Sequence, residues 1–276
     1  MSTATENPIA CECPTAEKQE ALSVIVPCFN ELESLEKLAN GLERLRTRLG
    51  PACQLEILLI DDGSTDGTPA RMRELFGGQT SIRIVEHDGN RGIAAAIGTG
   101  IREAKGEVLA MLDADCTYDP LLPIAMLDLL TDDVEMVVAS PYHPQGRVEG
   151  VPGWRLGLSR MASRLYGLVL RNKLATYTSC VRVCRKAAVV NLPVRNGGFV
   201  GIVELLWQLD CHGGKIVECP AVLKVRTTGQ SKMRVARATL AHLQLLSRAA
   251  CHSVFTRPQP TSRDAKHRPL QTNLNP

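Results

Sequence analysis

Five short, almost uninterrupted apolar runs, at 22–27, 55–60, 82–86, 108–112 and 134–139, punctuate the first half of the chain, and each but the last leads into a helix-like segment. Strands that alternate with helices, and that are apolar throughout instead of at every second residue, must be buried on both faces. That pattern predicts an α/β architecture with a mostly parallel central sheet and helices on both sides. In an open sheet of this kind, ligands sit outside the carboxyl ends of the strands, so the residues that close each run are the ones to read for chemistry. No internal repeat interrupts the pattern.

With 276 residues, 44% of them hydrophobic, the chain can bury a full core in one domain. A formal charge of only +3 and 4% aromatic residues offer neither the basic field nor the stacking platforms of a nucleic-acid binder. Ten cysteines are scattered, several inside apolar runs (Cys28, Cys53, Cys116, Cys180, Cys219), and neither Cys11-x-Cys13 nor Cys180-x-x-x-Cys184 makes a four-ligand zinc pattern. Buried free thiols in a reducing cytoplasm are the expectation. Residues 1–20 and 256–276 are rich in Pro, Ser, Thr and charge without periodicity and read as poorly ordered tails. No signal peptide is visible before Ala21, and no apolar run approaches the ~20 residues of a spanning helix.

The fourth run ends in Asp113-Ala114-Asp115, which delivers two carboxylates to the sheet edge, where a divalent metal can meet a diphosphate. Alone, the motif is better read as a solvated pair in the turn before Tyr118-Asp119-Pro120. After the first run comes Pro27-Cys28-Phe29-Asn30-Glu31, in which Asn30 is placed to cap a helix beginning at Leu32. The second run closes in Asp61-Asp62-Gly63-Ser64-Thr65-Asp66-Gly67-Thr68, an acidic loop whose carboxylates suit the donor edge of a base or a ribose, or else a turn with an N-cap. Asn90-Arg91-Gly92 then opens a helix of small residues, 94–100, whose glycines permit close packing or close backbone approach.

Two amphipathic helices are expected in the C-terminal third. Between Arg155 and Arg171, Leu158, Met161, Ala162, Leu165, Leu168 and Val169 share one face, Arg160, Arg164 and Arg171 lie opposite, and Arg155 and Ser159 flank the apolar side. Such a helix packs on a core or lies on an anionic membrane surface. Residues 233–252 carry a narrow polar stripe, Arg237, Gln244 and Arg248, on an otherwise apolar surface.

Taken in order, VIVPCFNE, LLIDDGSTDGT, NRGIAAAIGTGIREAKGEVLAMLDAD and RTTGQSK make the chain resemble, from about Leu22 to Arg234, the inverting family 2 glycosyltransferases of the GT-A fold, and within them the dolichyl-phosphate mannosyltransferase-like group. The resemblance implies a GT-A domain over 21–234 with an interface helix at about 154–172, followed by an amphipathic helix at 235–255. It implies a nucleotide-sugar donor held by Pro27, Phe29, Glu31, Asp61, Asp62, Ser64, Asp113 and Ala114, and Mg2+ or Mn2+ held by Asp113, Asp115 and Thr117. Relatives often carry Gln or Ser where Thr117 stands. It further implies catalytic roles for Asp115, Arg226 and Lys232, and an acceptor phosphate held by Arg155, Ser159, Arg226 and Ser231. Glu204 lies where the wider family carries an acidic motif and reads here as a positioning residue.

The implied reaction moves a hexose, mannose from GDP-mannose foremost, onto a polyprenyl phosphate at the cytoplasmic membrane face, with a small membrane-anchor subunit as a candidate partner and no nucleic acid. The acceptor is already an anion, so no strong general base is needed. One departure stands out. The group's Ser-Arg-Tyr-like segment, whose Arg contacts the acceptor phosphate, is replaced by Ser140-Pro141-Tyr142-His143-Pro144, leaving Arg147 or Arg155 to substitute. A UDP-sugar, another acceptor, or a non-catalytic nucleotide-sugar-binding subunit are the alternatives; a dinucleotide-binding dehydrogenase would need a Gly-x-Gly-x-x-Gly that the first run does not have.

Overall fold

The computed structural model describes residues 21–226 and 235–255. The tails expected at 1–20 and 256–276, Cys11, Cys13, and Ser231 and Lys232 lie outside the described residues. Strands β1 (Leu22–Cys28), β2 (Leu55–Asp61), β3 (Ile82–Glu86), β4 (Val108–Met111) and β5 (Met136–Ser140) coincide with the five apolar runs to within two residues. They are joined by β7 (Arg182–Arg185) and β8 (Ile216–Pro220) in one seven-stranded sheet of order β3-β2-β1-β4-β7-β5-β8. A small parallel pair, β6 (Arg147–Glu149) with β9 (Val222–Lys224), stands apart.

All neighbours in the large sheet are parallel except β7, which runs antiparallel between β4 and β5. Alternate side chains feed two cores. Leu22, Val24, Val26, Ile57, Leu59, Val108 and Ala110 point to one face, and Ile25, Leu58, Ile60, Leu109 and Met111 to the other. This is why the strands read as continuous apolar runs.

Helices α1 (Leu35–Leu49), α2 (Thr68–Phe76) and α4 (Leu122–Leu127) belong to the first face; α3 (Ile93–Glu103), α5 (Gly153–Val169), α6 (Lys186–Val189), α7 (Phe199–Cys211) and α8 (Val235–Phe255) to the second. The α1 pattern is direct: Leu35, Leu38, Leu42 and Leu45 recur at helical spacing and are all buried, and Gly50 ends the helix at φ 75°. In α3, a Cβ on Gly100 would meet Ile25 Cγ2 at 2.3 Å, so the small-residue helix serves close packing on β1.

Chain order places the site. After β1 the chain builds outward through β2 and β3, then returns to the other side of β1 with β4. The reversal leaves a crevice at the carboxyl ends of β1 and β4, the position where open α/β sheets bind ligands.

One expectation about local structure is corrected, and one left open takes a mixed form. Asn30 does not cap a helix: it sits at φ 53°, and its Oδ1 accepts instead from the backbone N–H of Thr65, 2.7 Å away. In α5 the apolar side packs only in part, with Ala162 and Val169 against the core. Ser163, Tyr166 and the following Leu170 are buried, whereas Trp154, Met161, Leu165 and Leu168 are exposed. The inward face is held by specific bonds, Ser163 Oγ accepting from the Tyr177 N–H (3.3 Å) and Tyr166 Oη meeting His242 Nδ1 on α8 (3.0 Å). Helix α8 packs against α5 and α7 through Leu245 and Ala249 and leaves Leu240 and Leu243 outward.

Candidate active site

The loops after β1, β2 and β3 are laced together by short polar side chains. The Asn30 N–H donates to Ser64 Oγ (2.8 Å) and the Glu31 N–H to Thr68 Oγ1 (2.9 Å). Asp61 accepts from both the backbone N–H (3.1 Å) and the hydroxyl (2.5 Å) of Ser64. Asp62 is buried and accepts from the backbone N–H groups of Arg91 (3.0 Å) and Gly92 (2.7 Å), while His87 Nδ1 lies 2.8 Å from it. His87 is braced in turn by Thr99 Oγ1 at 3.0 Å. Gly92 meets this geometry at φ 94°, a backbone state that costs glycine nothing. The sequence reading missed His87; its one signal was a lone imidazole immediately after an apolar run.

Beyond β4 the chain turns sharply, with Cys116 at φ 52° and its N–H bonded to the Asp113 carbonyl (3.2 Å). Lys37, from α1, donates to the carbonyls of Asp115 (3.3 Å) and Cys116 (3.2 Å), and the Thr117 N–H donates to Asp115 Oδ1 (3.0 Å). The turn is thus clamped by a cation 78 residues away from Asp115, which no local motif announces. Desolvation, and after it the charge of Asp115, push the Asp113 carboxyl well above the usual carboxylate range. Arg226 answers part of that field: its guanidinium pairs with Glu31 and approaches Asp115 Oδ2 at 3.6 Å.

These groups open into a cavity of about 1240 Å³. Pro27, Phe29, Glu31, Asp62, Asp113, Ala114, Asp115 and Thr117 line its acidic side, where Arg226 reaches in to pair with Glu31, and Arg155 belongs to the rest of the lining. An apolar wall is built from Val151, Pro152 and Trp154 around the start of α5, Phe199 and Val200 on α7, and Ala238 and Ala241 on α8, and Lys224 also reaches the cavity. Asp61 and Ser64 sit behind the cavity, bonded to each other. Ser159 is turned to Thr178 Oγ1, 2.9 Å away. Glu204 does not line the cavity; it accepts from the N–H groups of Arg195 and Asn196, fastening a segment, Asn196–Gly198, that does. Pro141, directly after β5, is buried, and Arg147 begins the exposed edge of β6.

The donor set suits a hard divalent cation. The carboxyl of Asp113, raised by burial and then by the charge of Asp115, gains from a positive charge between the two, and Thr117 adds an oxygen. Among the described residues no three His, Cys, Asp or Glu side chains converge into a ready-made cage. An ion here would complete its shell with phosphate and water, the Mg2+ and Mn2+ pattern.

The family model described as glycosyl transferase family 2 matches residues 23–192. Among curated proteins, the chain is 27% identical over 216 residues to the dolichol-phosphate mannosyltransferase of Pyrococcus furiosus, covering 77% of this chain and 59% of that protein. It is 29% identical over 219 residues to the polyprenol monophosphomannose synthase of Mycolicibacterium smegmatis, covering 76% and 80%. A third relative, the dodecaprenyl-phosphate galacturonate synthase of Rhizobium johnstonii, is 28% identical, covering 82% and 65%. Among solved structures, glucosyl-3-phosphoglycerate synthase from Mycobacterium tuberculosis superposes with a TM-score of 0.62 at 20% identity, covering 83% of this chain and 78% of that one. A mannosyltransferase from Pyrobaculum calidifontis gives 0.60 at 19% identity, covering 88% and 66%.

Proposed function

Since the chain belongs to glycosyl transferase family 2 and has the GT-A fold, we propose that it transfers a hexose, mannose from GDP-mannose, onto a polyprenyl phosphate with inversion at the anomeric carbon. One observation carries this reading: a single cavity joins the acidic carboxyl ends of β1 and β4 to an apolar wall made by α5, α7 and α8. The first side suits a nucleoside diphosphate sugar, the second an isoprenoid. The names of three relatives, two of mannose and one of galacturonate, share a polyprenyl carrier and support that acceptor class.

In this reading Asp113, Asp115 and Thr117 hold Mg2+ or Mn2+, which when bound acts as a Lewis acid on the leaving diphosphate; the two solved relatives are in complex with Mn2+. Pro27, Phe29, Glu31 and Asp62 shape the donor pocket, while Asp61 and Ser64 brace the loop behind it. Arg226 is released from Glu31 and Asp115 toward the phosphates, holding donor and acceptor anions close together. Arg155, at the apolar wall, replaces the cation that Pro141 cannot supply. Ser159 supports from the second row, and Ser231 and Lys232, which follow Arg226 in sequence, contribute further phosphate contacts. A negatively charged acceptor attacks without a base, from the face opposite the diphosphate.

No helix among the described residues is long and apolar enough to cross a membrane. We propose peripheral docking at the cytoplasmic membrane face through the exposed apolar residues of α5 and α8, with a small anchor subunit as a candidate partner. The test is a panel of GDP- and UDP-sugars with Mn2+ or Mg2+ and a short polyprenyl phosphate, scored by label entering the organic phase. Lipid-phase label from GDP-mannose alone is expected. Label from a UDP-sugar instead would overturn the donor, and metal-dependent nucleotide binding without any transfer would reassign the chain to a binding subunit.

A further inference from the structure

A second cavity, of about 280 Å³, lies between α3 and the segment leading into α7. Its lining is about equally polar and apolar: Ile97, Met111, Val190 and Leu205 are among the apolar residues, four arginines line it (Arg91, Arg102, Arg182 and Arg195) and no Asp or Glu does. Arg91 pairs with Asp88 at 3.6 Å, outside the lining, so the surplus of positive charge rests on Arg102, Arg182 and Arg195. Arg182 is its deepest member. The side chain is fully buried, and its guanidinium donates to the carbonyls of Ser179 (2.9 Å), Tyr177 (2.9 Å) and Ile202 (2.6 Å), with no carboxylate partner among the described residues. Burial lowers its pKa only to about 10, so the charge persists at neutral pH. With its donors turned to carbonyls and no exposed surface, Arg182 contributes to the cavity through its field, which favours an anion there. Arg102 and Arg195 are exposed at the mouth.

The large cavity shares a wall with this one. Asn196 and Gly197 line both. The Gly197 carbonyl accepts from the N–H groups of Ala94 (2.6 Å) and Ala95 (3.2 Å) at the start of α3. On the other side of the same wall, Arg91 lines the small cavity and Gly92 the large one, both anchored by Asp62.

We propose that the small cavity is a second anion site that takes a small organic phosphate with an apolar body, and that its occupancy is coupled to nucleotide binding in the large cavity through the Asn196–Gly197 wall. Arginine forks recognise phosphate, and the apolar lining recognises a ring or short chain. At about 280 Å³ the space sits at the lower limit of small-molecule pockets, too small for a nucleotide or a polyprenyl chain.

The probe is phenyl phosphate, titrated calorimetrically into the full chain, with benzyl alcohol and inorganic phosphate as arms that remove the charge or the ring. Saturable binding is expected, at least ~10-fold tighter than either arm, and retained in saturating GDP with Mn2+. The double substitution R102Q/R195Q, both at exposed positions, should weaken it at least ~10-fold. So should Gly98→Leu, which adds bulk at a lining helix position where the nearest atom is Arg102 Nη1 at 3.4 Å. Saturating phenyl phosphate should in turn change GDP affinity at least ~2-fold, since coupling is reciprocal. Displacement of the probe by GDP, equal binding of benzyl alcohol or inorganic phosphate, or unchanged affinity in both variants would overturn the site. An unchanged GDP affinity would overturn the coupling. None of these readouts depends on sugar transfer.

Discussion

Two arginine–carboxylate pairs hold the walls of the large cavity, and they differ in what their loss should do. Arg226 bridges Glu31 and Asp115, groups that come from the ends of different strands. If it stabilises charge developing on the phosphates, Arg226→Ala should lower kcat by about 10²–10³, the scale found for removing one preorganised donor, with donor KM changed less than about threefold; an unaltered kcat removes it from the mechanism. Glu204 is fully buried and bonded to Arg195, Asn196 and Arg248. Burial would raise its pKa, but the hydrogen bonds from Asn196, Arg195 and Arg248 together hold it below the ordinary glutamate value. A depressed carboxylate pKa contributes stability above the unfolded value, about 4.3, and loses it as pH falls through the folded one. Glu204→Gln should therefore lower Tm at pH 7, and the gap to the parent should close below about pH 4; a gap independent of pH would mean that the ionised form plays no part. At this scale Asp113 and Asp115 were legible because a strand end and two acids are local facts. The partners of Asp62 were not: His87 is 25 residues away and pairs with it only through the fold.

Helix α5 shows how periodicity underdetermines orientation. The spacing of its apolar residues identifies a helix with an apolar face, and the structure has one at Gly153–Val169. Which face packs is set by partners that the helix does not contain, here Tyr177 and His242. Leu168 is consequently 80% exposed and Met161 51%. An outward apolar row beside Arg155, Arg160 and Arg164 suits an anionic lipid surface. Co-sedimentation with anionic vesicles should be salt-sensitive and fall at least ~5-fold in the M161E/L168E variant, while Tm stays within about 2 °C because neither side chain is buried. Equal sedimentation of that variant would exclude α5 as the docking face. Strand β7 escaped the sequence reading for a related reason. It opens with Arg182, a charged residue that belongs in a strand core only because three carbonyls converge on it.

Over the whole molecule, the large cavity is assembled from the ends of β1, β2 and β4 on one side and α5, α7 and α8 on the other, so its ligands report on the assembled fold. With two carboxylates and one threonine to offer, the protein should hold a divalent ion firmly only with a nucleoside diphosphate. Mn2+ alone, or GDP with EDTA, should shift Tm by less than about 1 °C, and the two together by several degrees, through preferential binding to the folded state. An equal shift from Mn2+ alone would point to a self-sufficient metal site. The family and fold implied by four ordered motifs are borne out by the family match over 23–192 and by the structural relatives. Those features are short-range: each apolar run and the acids and glycines that end it lie within a few residues of one another, and their order is read directly along the chain. The long-range features come from contacts that no short window contains. The antiparallel insertion of β7, the outward turn of α5, the clamp of Lys37 on the Asp115 turn and the acid-free cavity around Arg182 each join segments tens of residues apart, and packing alone selects them.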